Sequence, residues 1–377
     1  MLNIEELKQK ACSTIDKRKK DLINIAKDVL ANPEAGFRET RTASLVAKEF
    51  DQLGIPHNDG LAITGVKGRI AGGAGPGPKI AVIGELDSLI VEGHPFADQK
   101  TFAAHACGHH CQIGMMLGAT MGLMTPEVLS QLSGEIVPFA VPAEEFIEVE
   151  HRLQLREEGR LEFLGGKPEM IRIGEFDDVD LAMMIHTTSN PEEGKLCISG
   201  TNNGTIAKKI QFIGKGSHAG GAPHLGINAL NAATLALSAI HFNRETFRDE
   251  DTVRVHPIIT KGGEAVSAVP SDVRMETFVR GKTIEAFQAA SAKVDRALRA
   301  GAMAVGGSVT ITTLPGYMPI VNENGMLDLF GANAAALVGA EQVVKGRHRA
   351  GSTDMGDVSQ IMPVIHPYVA AAKGNGH

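Results

Sequence analysis

Between about residues 201 and 316 the order of elements changes character, and this constrains the fold more than any other feature of the chain. A strand at 205–213, a helix at 226–242, strands at 252–260 and 272–280, a helix at 283–304 and a strand at 308–314 follow one another. This β-α-β-β-α-β order predicts a compact ferredoxin-like module. The flanking sequence has a different rhythm. Ile4, Leu7, Ile15, Leu22, Ile25 and Val29 recur at helical spacing until Asn32-Pro33 stops them. A second helix is expected from Thr40 to Leu53, ended by Gly54, then a short buried strand at 79–84. A helix at 111–124, strands at 135–141 and 180–186, and a helix at 325–338 continue the alternation. Strands alternating with helices predict an α/β fold, a mixed but mostly parallel sheet flanked by helices. A chain of 377 residues is long for one core. The expected organisation is therefore a discontinuous domain, 1–200 and 317–377, with 201–316 inserted into it.

Composition excludes several classes of partner. A formal charge of −7 offers nothing to neutralise a run of phosphates, so no nucleic acid is expected. The longest apolar stretches, such as 229–240, are too short to span a bilayer, and no membrane partner is expected. The Met-Leu-Asn-Ile-Glu-Glu start lacks a basic-then-apolar signal, which points to the cytoplasm. Cys12, Cys107, Cys111 and Cys197 are irregularly spaced and fit a reducing compartment. With no Trp and 2 Tyr, an aromatic platform for sugars or single strands is not expected.

The strongest local chemical signal is His105-Ala-Cys107-Gly-His109-His110-Cys111. A thiolate and an imidazole two residues apart can hold one borderline divalent ion, with the glycine allowing the bend. Alone, the loop reads equally as a simple zinc clip. Pro142-Ala-Glu144-Glu145 follows a strand end, where α/β folds place ligands. Adjacent carboxylates point apart, so one can bind metal while its neighbour works as a base on water. Glu85 and Asp87 share one side of the segment after strand 79–84. Asp87 suits either a carboxylate that orients a metal-binding imidazole or a turn cap. His186 ends an apolar run, and His377 ends the chain.

In this order the segments resemble the metallopeptidase and aminoacylase superfamily, which includes bacterial carboxypeptidases, auxin-conjugate amidohydrolases and aminobenzoyl-glutamate hydrolases. The similarity spans Asn32–Glu39, Gly84–Leu89, His105–His110, Pro142–Glu145, Gly214–Ala219, Pro223–Gly226, Ala268–Ser271, Arg280 and Gly351–Val358. It implies that 201–316 is a lid and dimerisation domain. It also implies Cys107, His109, Glu145, His186 and His377 as metal ligands, Glu144 as general base and Asp87 as a supporting carboxylate. His218 would stabilise an oxyanion from a partner subunit, and Arg280 would meet a substrate carboxylate. Glu85 stands where many relatives have His or Asp, and His110 where they have Asp or Asn; these departures mark both as substrate-binding candidates. Relatives continue for another helix where this chain stops at His377.

The implied activity is hydrolysis of a C–N bond, the amide of an N-acyl or N-aroyl amino acid. One or two divalent ions per subunit are expected, zinc or manganese, with cobalt tolerated. The partners implied are a small carboxylate-bearing substrate and further copies of the chain, as a homodimer or higher homo-oligomer. Two rival readings stand beside this one: hydrolytic deamination of an activated aromatic acid such as a nitroanthranilate, and a non-catalytic, metal-stabilised binding protein.

Overall fold

The computed structural model describes residues 2–371. The chain divides into two compact units, Met1–Thr201 with Val321–Arg347 and the segment from Asp357, and Asn202–Ile320 with His348–Gly356.

In the first unit, the helix Ile4–Ala31 opens with a reciprocal cap. The Asn3 side chain accepts from Glu6 N–H, and the Glu6 carboxylate accepts from Asn3 N–H. The helix Thr40–Leu53 ends at Gly54, whose φ of 68° is the left-handed stop that glycine favours. A seven-stranded mixed sheet runs in the order His57–Leu61, Gly65–Gly68, Glu135–Val141, Lys79–Glu85, Leu181–Met184, Val364–Ile365, with Ile70–Ala71 also paired to Glu135–Val141. The strands from Glu135–Val141 to Val364–Ile365 pair in parallel, and the other edge is antiparallel. Helix His109–Leu123 buries Ile113, Met116 and Leu117 against Val46, Phe50 and Leu86. Each such side chain contributes about 1.5–3 kcal/mol on leaving water.

Pairing in this sheet sets Glu85 opposite Val141. The two acidic segments that follow, from Glu85 and from Pro142, therefore leave the sheet side by side at the carboxyl ends of neighbouring parallel strands. The strand expected at 180–186 is broken at Ile185. Leu181–Met184 stays in the large sheet, and His186–Thr188 pairs with Tyr368–Ala370 in a second sheet of four strands. Val364–Ile365 and Tyr368–Ala370 make the same change of sheet across His366-Pro367, and the Pro367 carbonyl accepts from His186 N–H at 2.9 Å. His186 and His366 thus sit where two neighbouring strands change sheets. The stretch 147–178, which carries no motif, holds helices Val149–Glu157 and Gly166–Arg172.

In the second unit, Gly204–Ile213 pairs antiparallel with Asp272–Gly281 and Ser308–Pro315. Helices Ala229–Phe242 and Ile284–Ala304 close over Ile210, Phe212, Val273 and Met275 with Ala233, Ala236, Val294 and Leu298. The strand expected at 252–260 is two pieces, Arg254–Val255 and Ile258–Lys261, because Pro257 between them has no N–H for the ladder. Ile258 and Ile259 lie exposed on the second piece, which among the described residues pairs only with Asp272–Gly281. Among the described residues no helix is long and apolar enough to cross a membrane.

Candidate metal centre

The loop before helix His109–Leu123 can make its bend only through glycine. Gly108 has φ 90°, and a Cβ there would lie 2.3 Å from Thr187 Oγ1. This turn brings Cys107 Sγ to 3.3 Å from His186 Nε2 and buries His109 completely at the helix start. Both imidazoles are oriented by carbonyls. His109 Nδ1 donates to the Asp87 carbonyl at 2.8 Å, and His186 Nδ1 to the Thr187 carbonyl at 2.8 Å. A carbonyl only accepts, so the neutral rings carry their protons on Nδ1 and leave Nε2 as the ligating atom.

Two ligand clusters share His109. Cys107, His109 and His186 form one, and Glu85, His109 and Glu144 the other, with ligand atoms within 4.8 Å of one another in each. His109 Nε2 lies 3.0 Å from Glu85 Oε2 and 3.9 Å from Glu144 Oε2. Asp87 is fully buried, and its Oδ2 accepts from Glu145 N–H at 2.9 Å. The Glu145 carboxyl lies beside the Cys107 thiol. One thiol, two imidazoles whose Nε2 atoms face the cluster and a neighbouring carboxyl suit a borderline divalent ion, so the residues present fit a metal.

Burial and neighbouring charges shift the ionisation of these groups. Burial, together with Glu145, pushes the Cys107 thiol well above its ordinary range. Burial raises Glu145 to about 7 against a lowering pull from His109. Burial opposes a charge on His109, yet Glu85 and Cys107 raise its pKa well above that of a free imidazole. Burial alone would raise Glu85, but Lys167 and His109 hold it well below the usual carboxylate range.

Of the residues singled out by sequence, Glu85, Asp87, Cys107, His109, Glu144, Glu145 and His186 converge here. His110 is part of the first turn of its helix, with its ring 5.5 Å from His105 and its Nε2 3.3 Å from Cys111 Sγ; burial and His109 lower it to about 4. Glu85 is 1% exposed, with Lys167 on one oxygen and Gln112 on the other. His218 and Arg280 belong to the second unit. His218 Nδ1 accepts from Gly220 and Gly221 N–H, so its proton is on the exposed ring's Nε2. Arg280 stacks on Phe278 and donates to His256 Nε2 at 3.4 Å. His377 lies outside the described residues.

Several residues that were not candidates for the site support the loop Pro142–Glu145. Ala143 adopts φ 52°, a strained value for a residue with a Cβ. Its N–H donates to buried Glu39, whose other oxygen accepts from Thr64 Oγ1 at 2.7 Å. Arg152 is fully buried under the same loop, donating to the carbonyls of Glu145 and Leu164 and stacking on Phe37. His366 is buried with its ring 5.7 Å from that of His186. Glu39 stands in a motif noted for its helix-breaking residues; Arg152, Lys167 and His366 carried no local pattern.

The chain is similar to several known proteins. Residues 201–304 match the peptidase dimerisation domain family. The chain is 26% identical to a mouse Xaa-Arg dipeptidase, over 97% of this chain and 80% of the relative. It is 32% identical to thermostable carboxypeptidase 2 of Saccharolobus solfataricus, over 69% of this chain and 63% of the relative. Its fold is similar to that of a dinuclear metal-binding peptidase of Bacillus subtilis, with a TM-score of 0.68 and 22% identity over 95% of this chain and 90% of the other. The chain is thus a homologue of these dipeptidases and carboxypeptidases, and its residues 201–304 match the peptidase dimerisation domain.

Proposed function

We propose that the protein is a metal-dependent hydrolase that cleaves the amide of an N-acyl or N-aroyl amino acid. The observation that carries this reading is the placement of Glu144 Oε2 3.9 Å from His109 Nε2, beside a thiol–imidazole cluster. A ligand set by itself needs no further carboxylate at its edge, whereas hydrolysis needs one as a base. The dipeptidase and carboxypeptidase relatives point the same way.

Cys107, His109, Glu145 and His186 would hold the ion, with His377 as a further proposed ligand. A divalent ion there supplies Lewis acidity toward the scissile carbonyl and the attacking water. Glu144 takes the proton of that water and returns it to the departing nitrogen. Asp87 holds His109 in its ligating tautomer and fixes the backbone of Glu145. His218 presents an N–H donor suited to the oxyanion, and Arg280 a guanidinium suited to a substrate carboxylate.

His218 would act across a homodimer. Support comes from the matched dimerisation domain and from the apolar edge strand Ile258–Lys261, whose exposed Ile258 and Ile259 another copy can cover. The metal would be zinc or manganese, and the working compartment the cytoplasm.

The test is a panel of N-acyl amino acids, dipeptides and arylamines assayed on protein loaded with zinc or manganese. Release of a free amino acid, abolished in Glu144→Gln with metal retained, is the expected result. Ammonia as the only nitrogen product would assign hydrolytic deamination instead. Tight metal binding with no turnover of any substrate would make the chain a binding protein.

A further inference from the structure

The two ligand clusters that share His109 are chemically unlike. One offers a thiol and imidazoles. The other offers two carboxylates, Glu85 and Glu144, and would ordinarily be the more attractive to a hard divalent ion. Lys167 lies against it. Its side chain is 0% exposed, and Nζ is 2.5 Å from Glu85 Oε1. The second oxygen of Glu85 accepts from Gln112 Nε2 at 2.8 Å, and Gln112 Oε1 accepts from Glu85 N–H at 3.2 Å. Both oxygens of this carboxylate are therefore engaged, by an ammonium and by an amide clamped to its own backbone.

The backbone beside the lysine is closely packed. Gly166, next to it, donates its N–H to the Ala143 carbonyl at 3.1 Å, and a Cβ at Gly166 would lie 1.7 Å from the Pro142 carbonyl oxygen. The backbone that carries Lys167 is thus locked to the loop that carries Glu144. A buried carboxylate needs one compensating positive charge, and a covalent one is already in place. A divalent ion on Glu85 would have to share it with that ammonium in a site shut off from solvent screening.

We propose that the Lys167 ammonium is the resident cation of the Glu85–His109–Glu144 cluster, so that Glu85 is a counterion and not a ligand. Every bound metal ion is then confined to the Cys107 side. The proposal rests on the metal-hydrolase reading for the presence of metal, but its readouts count and describe ions without turnover.

Metal-free protein is loaded with zinc or manganese, freed of excess by gel filtration, and analysed for bound metal per chain and by X-ray absorption at the metal edge. In wild type, each ion is expected to show sulfur in its shell. A shell of oxygen and nitrogen alone on any ion would overturn the proposal. The paired variant Glu85→Leu/Lys167→Met removes both charges together and leaves no uncompensated ion. Its metal content is expected to equal wild type, with affinity within about threefold; loss of one equivalent, or a tenfold weaker affinity, would show that Glu85 is a ligand. Lys167→Met alone is expected to gain one equivalent without sulfur, and an unchanged count in that folded variant would show that the lysine excludes nothing. Failure to bind any metal would sink the proposed function itself, a result distinct from all of these.

Discussion

The N–H of Ala143 donates to Glu39 Oε1 at 2.8 Å, joining a carboxylate from the start of the chain to the residue just before the proposed base Glu144. Two other buried groups hold the same loop, Asp87 through Glu145 N–H and Arg152 through the Glu145 carbonyl. Ala143 keeps its strained φ of 52° because these contacts over-determine it. The aim of both glutamates depends on three side chains that need never touch substrate.

This arrangement makes stability depend on pH through Glu39. Burial, with Asp87 adding to it, raises Glu39 from 4.5 to about 7. A carboxyl with a folded pKa above its unfolded value contributes stability that is complete below pH 4.5 and lost as pH rises through 7. The full effect is at most about 3 kcal/mol. Glu39→Gln keeps an acceptor for Ala143 but cannot titrate. Denaturant unfolding of the metal-free protein at pH 5 and pH 8 should therefore show a smaller fall in stability for the variant than for wild type.

Arg152→Met should destabilise the first unit by about 3 kcal/mol or more, since it leaves the buried carbonyls of Glu145 and Leu164 without their charged donor. Arg152→Lys should recover part of that loss and less of the turnover, because one ammonium cannot reproduce the guanidinium fork. Urea melts and kcat with KM on both variants check this; equal kcat in all three proteins would remove Arg152 from any role in aiming the loop.

Metal binding should release protons. In the metal-free protein the Cys107 thiol is held well above its ordinary range and the His109 pKa is also raised, so both carry protons that a ligand must give up. Affinity for zinc should rise steeply from pH 6 to pH 8. Calorimetry in two buffers of different ionisation enthalpy should report at least about one proton released per ion. Cys107→Ser should weaken zinc more than manganese, because the thiolate is the soft donor.

Gly108→Ala puts a Cβ 2.3 Å from Thr187 Oγ1 on a residue with φ 90°. The strain should cost about 1–3 kcal/mol in a thermal or urea melt. It should also push Cys107 and His109 apart from His186, so metal affinity should fall more than ten-fold while helix content by circular dichroism stays unchanged.

If His218 serves a partner's site, Glu144→Gln and His218→Ala should complement each other. Each homodimer would be inactive or nearly so, His218→Ala losing about 10²–10³ in kcat. Random exchange makes half the dimers mixed with one intact site each, so roughly a quarter of wild-type activity should return. No recovery after verified subunit exchange would confine His218 to its own chain.

The sequence alone determined what local rules control. Helical spacing and the stops at Asn32-Pro33 and Gly54 marked the helices Ile4–Ala31 and Thr40–Leu53, and the β-α-β-β-α-β order within 201–316 was legible from its periodicities. The Cys-Gly-His loop and the paired glutamates stood out as candidates because a metal loop and an acid–base pair each need particular residue types close together in the chain. Nothing local marks the break at Ile185, since a change of sheet depends on the partner strand; the break beside Pro257 has a local sign, the missing N–H, which the strand expected at 252–260 runs through. Arg152 and Lys167 carry no local sign of their roles, and Glu39 is visible only as part of the segment Asn32–Glu39, with its partner Ala143 far along the chain. Lys167 and Glu85 are 82 residues apart, and neither carries a periodicity or motif that predicts the other. A buried charge is defined by what neutralises it, and only the packed structure brings the two together.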